Sequence, residues 1–166
     1  MNEEMLLKQM KFIRYRTIAA LDATSEAIAD DIPTGFNNNL RWNFGHIIVS
    51  QENIITYFLG ETGSLADFYR ELFNRGTSPK DWKEDQVVPT LRELRVALEE
   101  QYERMVALCS GRISEVGKNP LNFGPEYEFK TLGEAIGFTN FHESLHQGNI
   151  NSLKLALGVK DLWTVQ

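Results

Sequence analysis

Apolar residues recur at helical spacing along four long stretches of the chain, and nowhere do they alternate with polar residues for more than a few positions. The pattern predicts an all-α fold. The first stretch, about 3–29, sets Leu6, Met10, Ile13, Thr17, Leu21 and Ile28 near one face, with Glu3 and Glu4 at the positive end of the helix dipole. Asp30, Asp31 and Pro33 stop it. The second, about 39–59, carries Leu40, Phe44, Ile47, Ile48, Ile54, Ile55 and Phe58 and ends at Gly60. The third and fourth open alike. Thr90-Leu-Arg-Glu93 and Thr131-Leu-Gly-Glu134 are capping boxes, in which a hydroxyl and a carboxylate satisfy the orphaned N–H groups of a first turn. These helices should run to Ser110 and Leu157, each followed by a glycine.

Between the second and third helices lie residues 60–89, enough chain to travel the length of a bundle. Within that link, 64–75 reads as one short helix capped by Ser64 and stopped by Gly76, and 77–85 has turn chemistry. The expected architecture is a single domain over 1–166, a four-helix bundle with one long crossover, without internal repeats or low-complexity segments.

Length and composition agree with this. At 166 residues, 42% hydrophobic and 24% charged with 5 prolines, the chain suits one globular domain. Its formal charge of −6 and lack of any basic run argue against nucleic acid as a partner. The N-terminus carries Glu3, Glu4 and Lys8 rather than an apolar leader, and no apolar run is long enough to span a bilayer, so no membrane partner and a cytoplasmic location are expected. Cys109 is alone, which rules out an intrachain disulfide and a metal site built from cysteine pairs. Any metal must therefore be held by nitrogen or oxygen.

All 3 histidines fall in mid-helix, on the otherwise apolar second and fourth stretches, where an unpaired imidazole incurs a desolvation cost. His142 and His146, spaced i, i+4, project from one helical face about 6 Å apart at Cβ. Such a pair alone is a common accident; His46 on a second apolar helix makes one shared ion the simplest explanation of all three. Three neutral imidazoles hold zinc or nickel, leave its charge uncompensated and leave a coordination position open, so hydrolysis and thiol transfer both come within reach.

The run His142-Glu-Ser-Leu-His146 also matches the H-E-x-x-H pattern of zinc peptidases, in which the glutamate is the general base. Such enzymes take a third ligand from downstream, and residues 147–166 hold no Glu, no His and one Asp161, which counts against that chemistry here. Glu143 stays a candidate catalytic base, weighed against a supporting or solvated carboxylate, since the next residue on a helix turns about 100° away. Asn43, Asn53 and Asn149 lie within two turns of the histidines and are candidates to orient the ligands or a bound cosubstrate. Trp42, Phe44, Phe138 and Phe141 read as core.

Arg41-Trp-Asn-Phe-Gly-His46-Ile-Ile48 resembles the second-helix histidine motif of the DinB-like family, also described with YfiT-like metal-dependent hydrolases. Thr131-Leu-Gly-Glu134, followed by His142-Glu-Ser-Leu-His146-Gln-Gly-Asn-Ile150, resembles its fourth-helix motif, and the segment from Asp67 to Pro79 is similar to its crossover. The resemblance implies a four-helix bundle, frequently dimeric, with a divalent metal on His46, His142 and His146. Phe44-Gly45 departs from the first motif, with an expected effect on pocket shape rather than ligation. Related members include S-transferases and an isomerase that use low-molecular-weight thiols, so such a thiol is a candidate cosubstrate. The expected function is a metal-dependent hydrolase or thiol S-transferase acting on a small molecule, in a homodimer. The alternative is a non-catalytic dimeric binding or stress-response module that uses the histidines for stability or sensing.

Overall fold

The computed structural model describes residues 2–164. Four long helices form a bundle: α1 (Glu3–Asp22), α3 (Leu40–Leu59), α5 (Leu91–Cys109) and α6 (Leu132–Ala156). Two short helices, α2 (Glu26–Ala29) and α4 (Asp67–Phe73), lie in the links. Each long helix starts on a polar cap. Asn2 accepts from the Met5 N–H and Asn39 from the Trp42 N–H, and both capping boxes form, on Thr90 with Glu93 and on Thr131 with Glu134.

The first helix is shorter than its apolar pattern suggests. It breaks after Asp22, where the Thr24 hydroxyl bonds back to the Ala20 carbonyl, and Glu26–Ala29 continue as a separate turn. In the crossover, Ser64 does not cap α4: its N–H and hydroxyl go to the buried Glu52 carboxylate on α3, and the helix begins only at Asp67. A short turn of 3₁₀ helix follows at Pro79–Asp81.

One element gives no periodic signal in the sequence. Strands β1 (Val116–Asn122) and β2 (Glu128–Thr131) pair antiparallel between α5 and α6, with Leu121 opposite Phe129 and an irregularity between Val116 and Leu121. Gly117 makes this possible, because a Cβ there would sit 2.4 Å from the Phe58 ring of α3. The hairpin thereby packs Leu121 and Phe129 onto the bundle end that holds Phe58, Met105 and Ile136.

Most of the faces predicted from periodicity are buried: Leu6, Met10, Ile13, Thr17 and Leu21 on α1, and Leu40, Phe44, Ile47, Ile48, Ile55 and Phe58 on α3, whereas Ile28 and Ile54 are half-buried. Inside this apolar core one charged side chain touches all four long helices. Arg14 of α1 donates to Gln51 of α3, to the Leu98 carbonyl and Gln101 of α5, and to Glu143 of α6. Among the described residues, no helix is long and apolar enough to cross a membrane.

Candidate metal centre

α3 and α6 lie side by side, and their facing surfaces bring the three histidines together. His46 ring centroids stand 5.4 Å from His142 and 4.7 Å from His146, and the two α6 rings stand 4.7 Å apart, an almost regular triangle. One nitrogen from each ring falls within 4.8 Å of the others. Donors about 2.0–2.1 Å from one tetrahedral ion lie about 3.3 Å apart, so small ring rotations close this triangle onto an ion.

Hydrogen bonds fix which nitrogen two of the rings, His46 and His146, offer. Nδ1 of His46 lies 2.7 Å from the Phe73 carbonyl, which can only accept, so Nδ1 carries the proton and Nε2 has the lone pair. The Ser50 hydroxyl donates to that Nε2 at 3.0 Å. Nδ1 of His146 lies 2.8 Å from Oδ1 of Asn43. The Asn43 amide is itself oriented, because its Nδ2 donates to the Asn39 carbonyl at 2.7 Å while Oδ1 also accepts from Asn149 at 3.0 Å. His146 is therefore also protonated on Nδ1, leaving Nε2 free. An oriented imidazole whose remote nitrogen is tied to a carbonyl or amide is the arrangement found around protein-bound metals.

The tie to Phe73 depends on Gly45. Any Cβ at Gly45 would lie 2.4 Å from the Phe73 ring, so only glycine lets the end of α4 dock on α3 next to His46. Trp42, one turn earlier, stacks on the other side of that imidazole with centroids 4.4 Å apart and planes at 12°, and its Nε1 donates to Thr77 of the crossover. Phe44-Gly45 thus does more than shape a pocket. It positions the His46 ring through the crossover.

Burial keeps all three rings neutral at pH 7. It draws the His46 imidazolium down to about 4 against the raising pull of the Phe73 carbonyl, and that of His146 down to about 3, with the other two histidines lowering it further. His142 is also lowered by burial, opposed by the neighbouring Glu143 charge. Neutral imidazoles are the form that ligates.

Glu143 faces a different partner. Its Oε1 and Oε2 accept from Nε and Nη2 of Arg14 at 3.0 Å each, and the Thr17 hydroxyl adds a bond of 2.6 Å. With both oxygens taken in a buried ion pair, the carboxylate is a structural tie between α1 and α6, and none of its hydrogen bonds reaches a histidine. Asn43 and Asn149 meet at His146, whereas Asn53 binds Nε of Arg70 at 2.9 Å and so holds the crossover helix. Of the four aromatics expected in the core, Trp42 and Phe44 are buried. Phe138 is only half-buried because it lines the cavity, and Phe141, on another side of α6, is 57% exposed.

That cavity, about 450 Å³, opens beside His46 and His142. Ile54, Leu121, Phe123 and Phe138 give it apolar lining, while Ser50, Asn53, Asn74 and Arg75 supply polar groups. Ser50 could have been noticed from its i+4 spacing to His46. Leu121, Phe123, Asn74 and Arg75 could not, since they come from the hairpin and the crossover, far from any histidine in sequence. Cys109 is buried and its thiol is pushed up to about 12 by desolvation, so it is inert.

A helical bundle with a long crossover and three convergent neutral imidazoles, two of them oriented by hydrogen bonds, fits a divalent-metal protein by the chemistry of its donor set. A model of the DinB superfamily matches residues 9–150, and the chain belongs to that superfamily. No curated protein matches it.

Proposed function

We propose that this protein is a metal-dependent enzyme, a hydrolase or a low-molecular-weight-thiol S-transferase, whose zinc or nickel ion is held by His46, His142 and His146. The reading is carried by one observation: Nδ1 of His46 and Nδ1 of His146 are both occupied by acceptors, so two Nε2 lone pairs converge near the third ring beside a cavity of small-molecule size. An ion on three neutral ligands keeps its full positive charge and an open position, and so supplies Lewis acidity toward water, a thiol or a carbonyl.

The chain's own groups have separate tasks. Phe73 and Trp42 lock the His46 ring, and Asn43 with Asn149 locks that of His146. Ser50, whose hydroxyl bonds Nε2 of His46 at 3.0 Å, would give up that lone pair to an ion and turn its hydroxyl to the cavity wall. Phe123 and Phe138, tilted at 34° with centroids 4.6 Å apart, give the cavity an aromatic wall on one side. Glu143, committed to Arg14, leaves no protein carboxylate in the cavity lining to act as base. Any proton is therefore taken by solvent or by the substrate pair itself.

Protein prepared without a histidine tag should contain about one equivalent of zinc or nickel, and chelation should lower its Tm. Conjugation of electrophiles with several bacterial thiols, and hydrolysis of ester and amide panels, should be lost in His146→Ala. Activity that survives this substitution removes the metal from the reaction. Stoichiometric metal with no turnover on either panel favours a binding or sensing module.

A further inference from the structure

The cavity beside the histidines differs from the neighbouring hollows in holding no carboxylate. The chain has 23 acidic residues against 17 basic, and glutamates line the other surface hollows: Glu99 and Glu103 between α1 and α5, Glu93 beside Tyr69, and Glu134 beside Gly133. No carboxylate lines the histidine cavity, where Arg75 is the one formally charged residue. Its neighbour Arg70 is engaged within the chain, by Asn53, the Leu65 carbonyl and Asp67. The guanidinium of Arg75 has no such partner among the described residues; only its backbone N–H is bonded, to the side chain of Asn74.

An arginine left unpaired in a strongly acidic protein, at a cavity stripped of competing carboxylates, presents its planar fork of donors to a ligand. The remaining lining is apolar and aromatic, from Phe123, Phe138, Leu121 and Ile54. We infer that the substrate is an organic anion, with an aryl or alkyl body against Phe123 and Phe138 and a carboxylate bound by Arg75. The inference deepens the function proposed above, since it takes this cavity as the substrate site, and it assigns Arg75 as the group that selects charge.

The acid 3-phenylpropionate and its neutral amide probe this on the full chain by ligand-observed NMR, with zinc added and with chelator. The acid should bind wild type about tenfold more tightly than the amide, the scale of one charge-assisted contact at a partly exposed site. Arg75→Met should abolish that preference while leaving amide affinity, zinc affinity and Tm unchanged, and Arg75→Lys should retain part of it. Equal binding of acid and amide by wild type overturns the inference, as does a preference that persists in Arg75→Met because the carboxylate sits on the ion instead. Should zinc fail to bind while the acid preference remains and depends on Arg75, the metal reading falls and this one stands.

Discussion

Arg14 grips Glu143 through two parallel bonds of 3.0 Å, although 129 residues separate them in sequence. The pair is buried at both ends and Glu143 directly follows His142, so a buried ion pair between α1 and α6 lies one residue from a candidate ligand. Removing one partner leaves an unpaired buried charge, which costs about 3–5 kcal/mol. Glu143→Gln and Arg14→Met should each lower the unfolding free energy from urea titration by that amount, and the double variant should lose much less than their sum. A Glu143→Gln protein as stable as wild type but inactive would instead restore the glutamate to catalysis.

Gly45→Ala tests the coupling of the crossover to the centre. On an ordinary helix the change stabilises by about 1 kcal/mol. Here the new methyl meets the Phe73 ring, so stability should fall and the His46 tie to the Phe73 carbonyl should be lost. Zinc affinity, measured by competition with a chelating dye, should drop about 10- to 100-fold, and Asn43→Ala should act similarly through His146. Unchanged affinity in both variants would mean that these bonds do not orient ligands.

The metal-free protein should weaken in mild acid. Folded His46 and His146 stay neutral down to about 4 and 3, whereas in the unfolded chain they protonate near 6.5. Below 6.5 the unfolded state thus binds more protons, and stability falls as pH falls. By pH 5 the loss should reach about 2 kcal/mol per histidine. Urea titrations of the apo protein at pH 7.5 and 5 check this, with His46→Gln/His146→Gln as the flattened control. An equal pH slope in that control would assign the effect to other groups.

Lys154 is wholly buried, and its Nζ donates to three carbonyls, Ala20 and Ala23 at the end of α1 and Leu162 beyond α6, at 2.6, 3.0 and 2.9 Å. Lys154→Met keeps the apolar stem but strands these acceptors, at a cost of about 2–3 kcal/mol. Limited proteolysis should then cut first in the segment after Gly158. Resistance equal to wild type would show that the carbonyls find other donors.

Much of this was legible in the chain. Both capping boxes form as written, because a cap is a contact between residues three apart. The buried faces of α1 and α3 followed from the 3.6-residue period, and the convergence of His46, His142 and His146 from the cost of imidazoles on apolar faces. The hairpin was not legible: Gly117, Asn119 and Pro120 erase any alternation, and its pairing rests on contact with Phe58. Nor was Glu143, whose H-E-x-x-H setting suggests a base while its partner lies on the first helix.

What the sequence determined by itself is what neighbours within a helical turn decide: where helices begin, which faces are apolar, and which side carries each histidine. Tertiary structure decided the rest, namely which nitrogen of His46 carries the proton, whom Glu143 serves, and that Arg75 stands at a cavity without a carboxylate. Each of these depends on a hydrogen bond or void between segments whose separation in the chain leaves no local pattern, and whose geometry exists only once the core has closed.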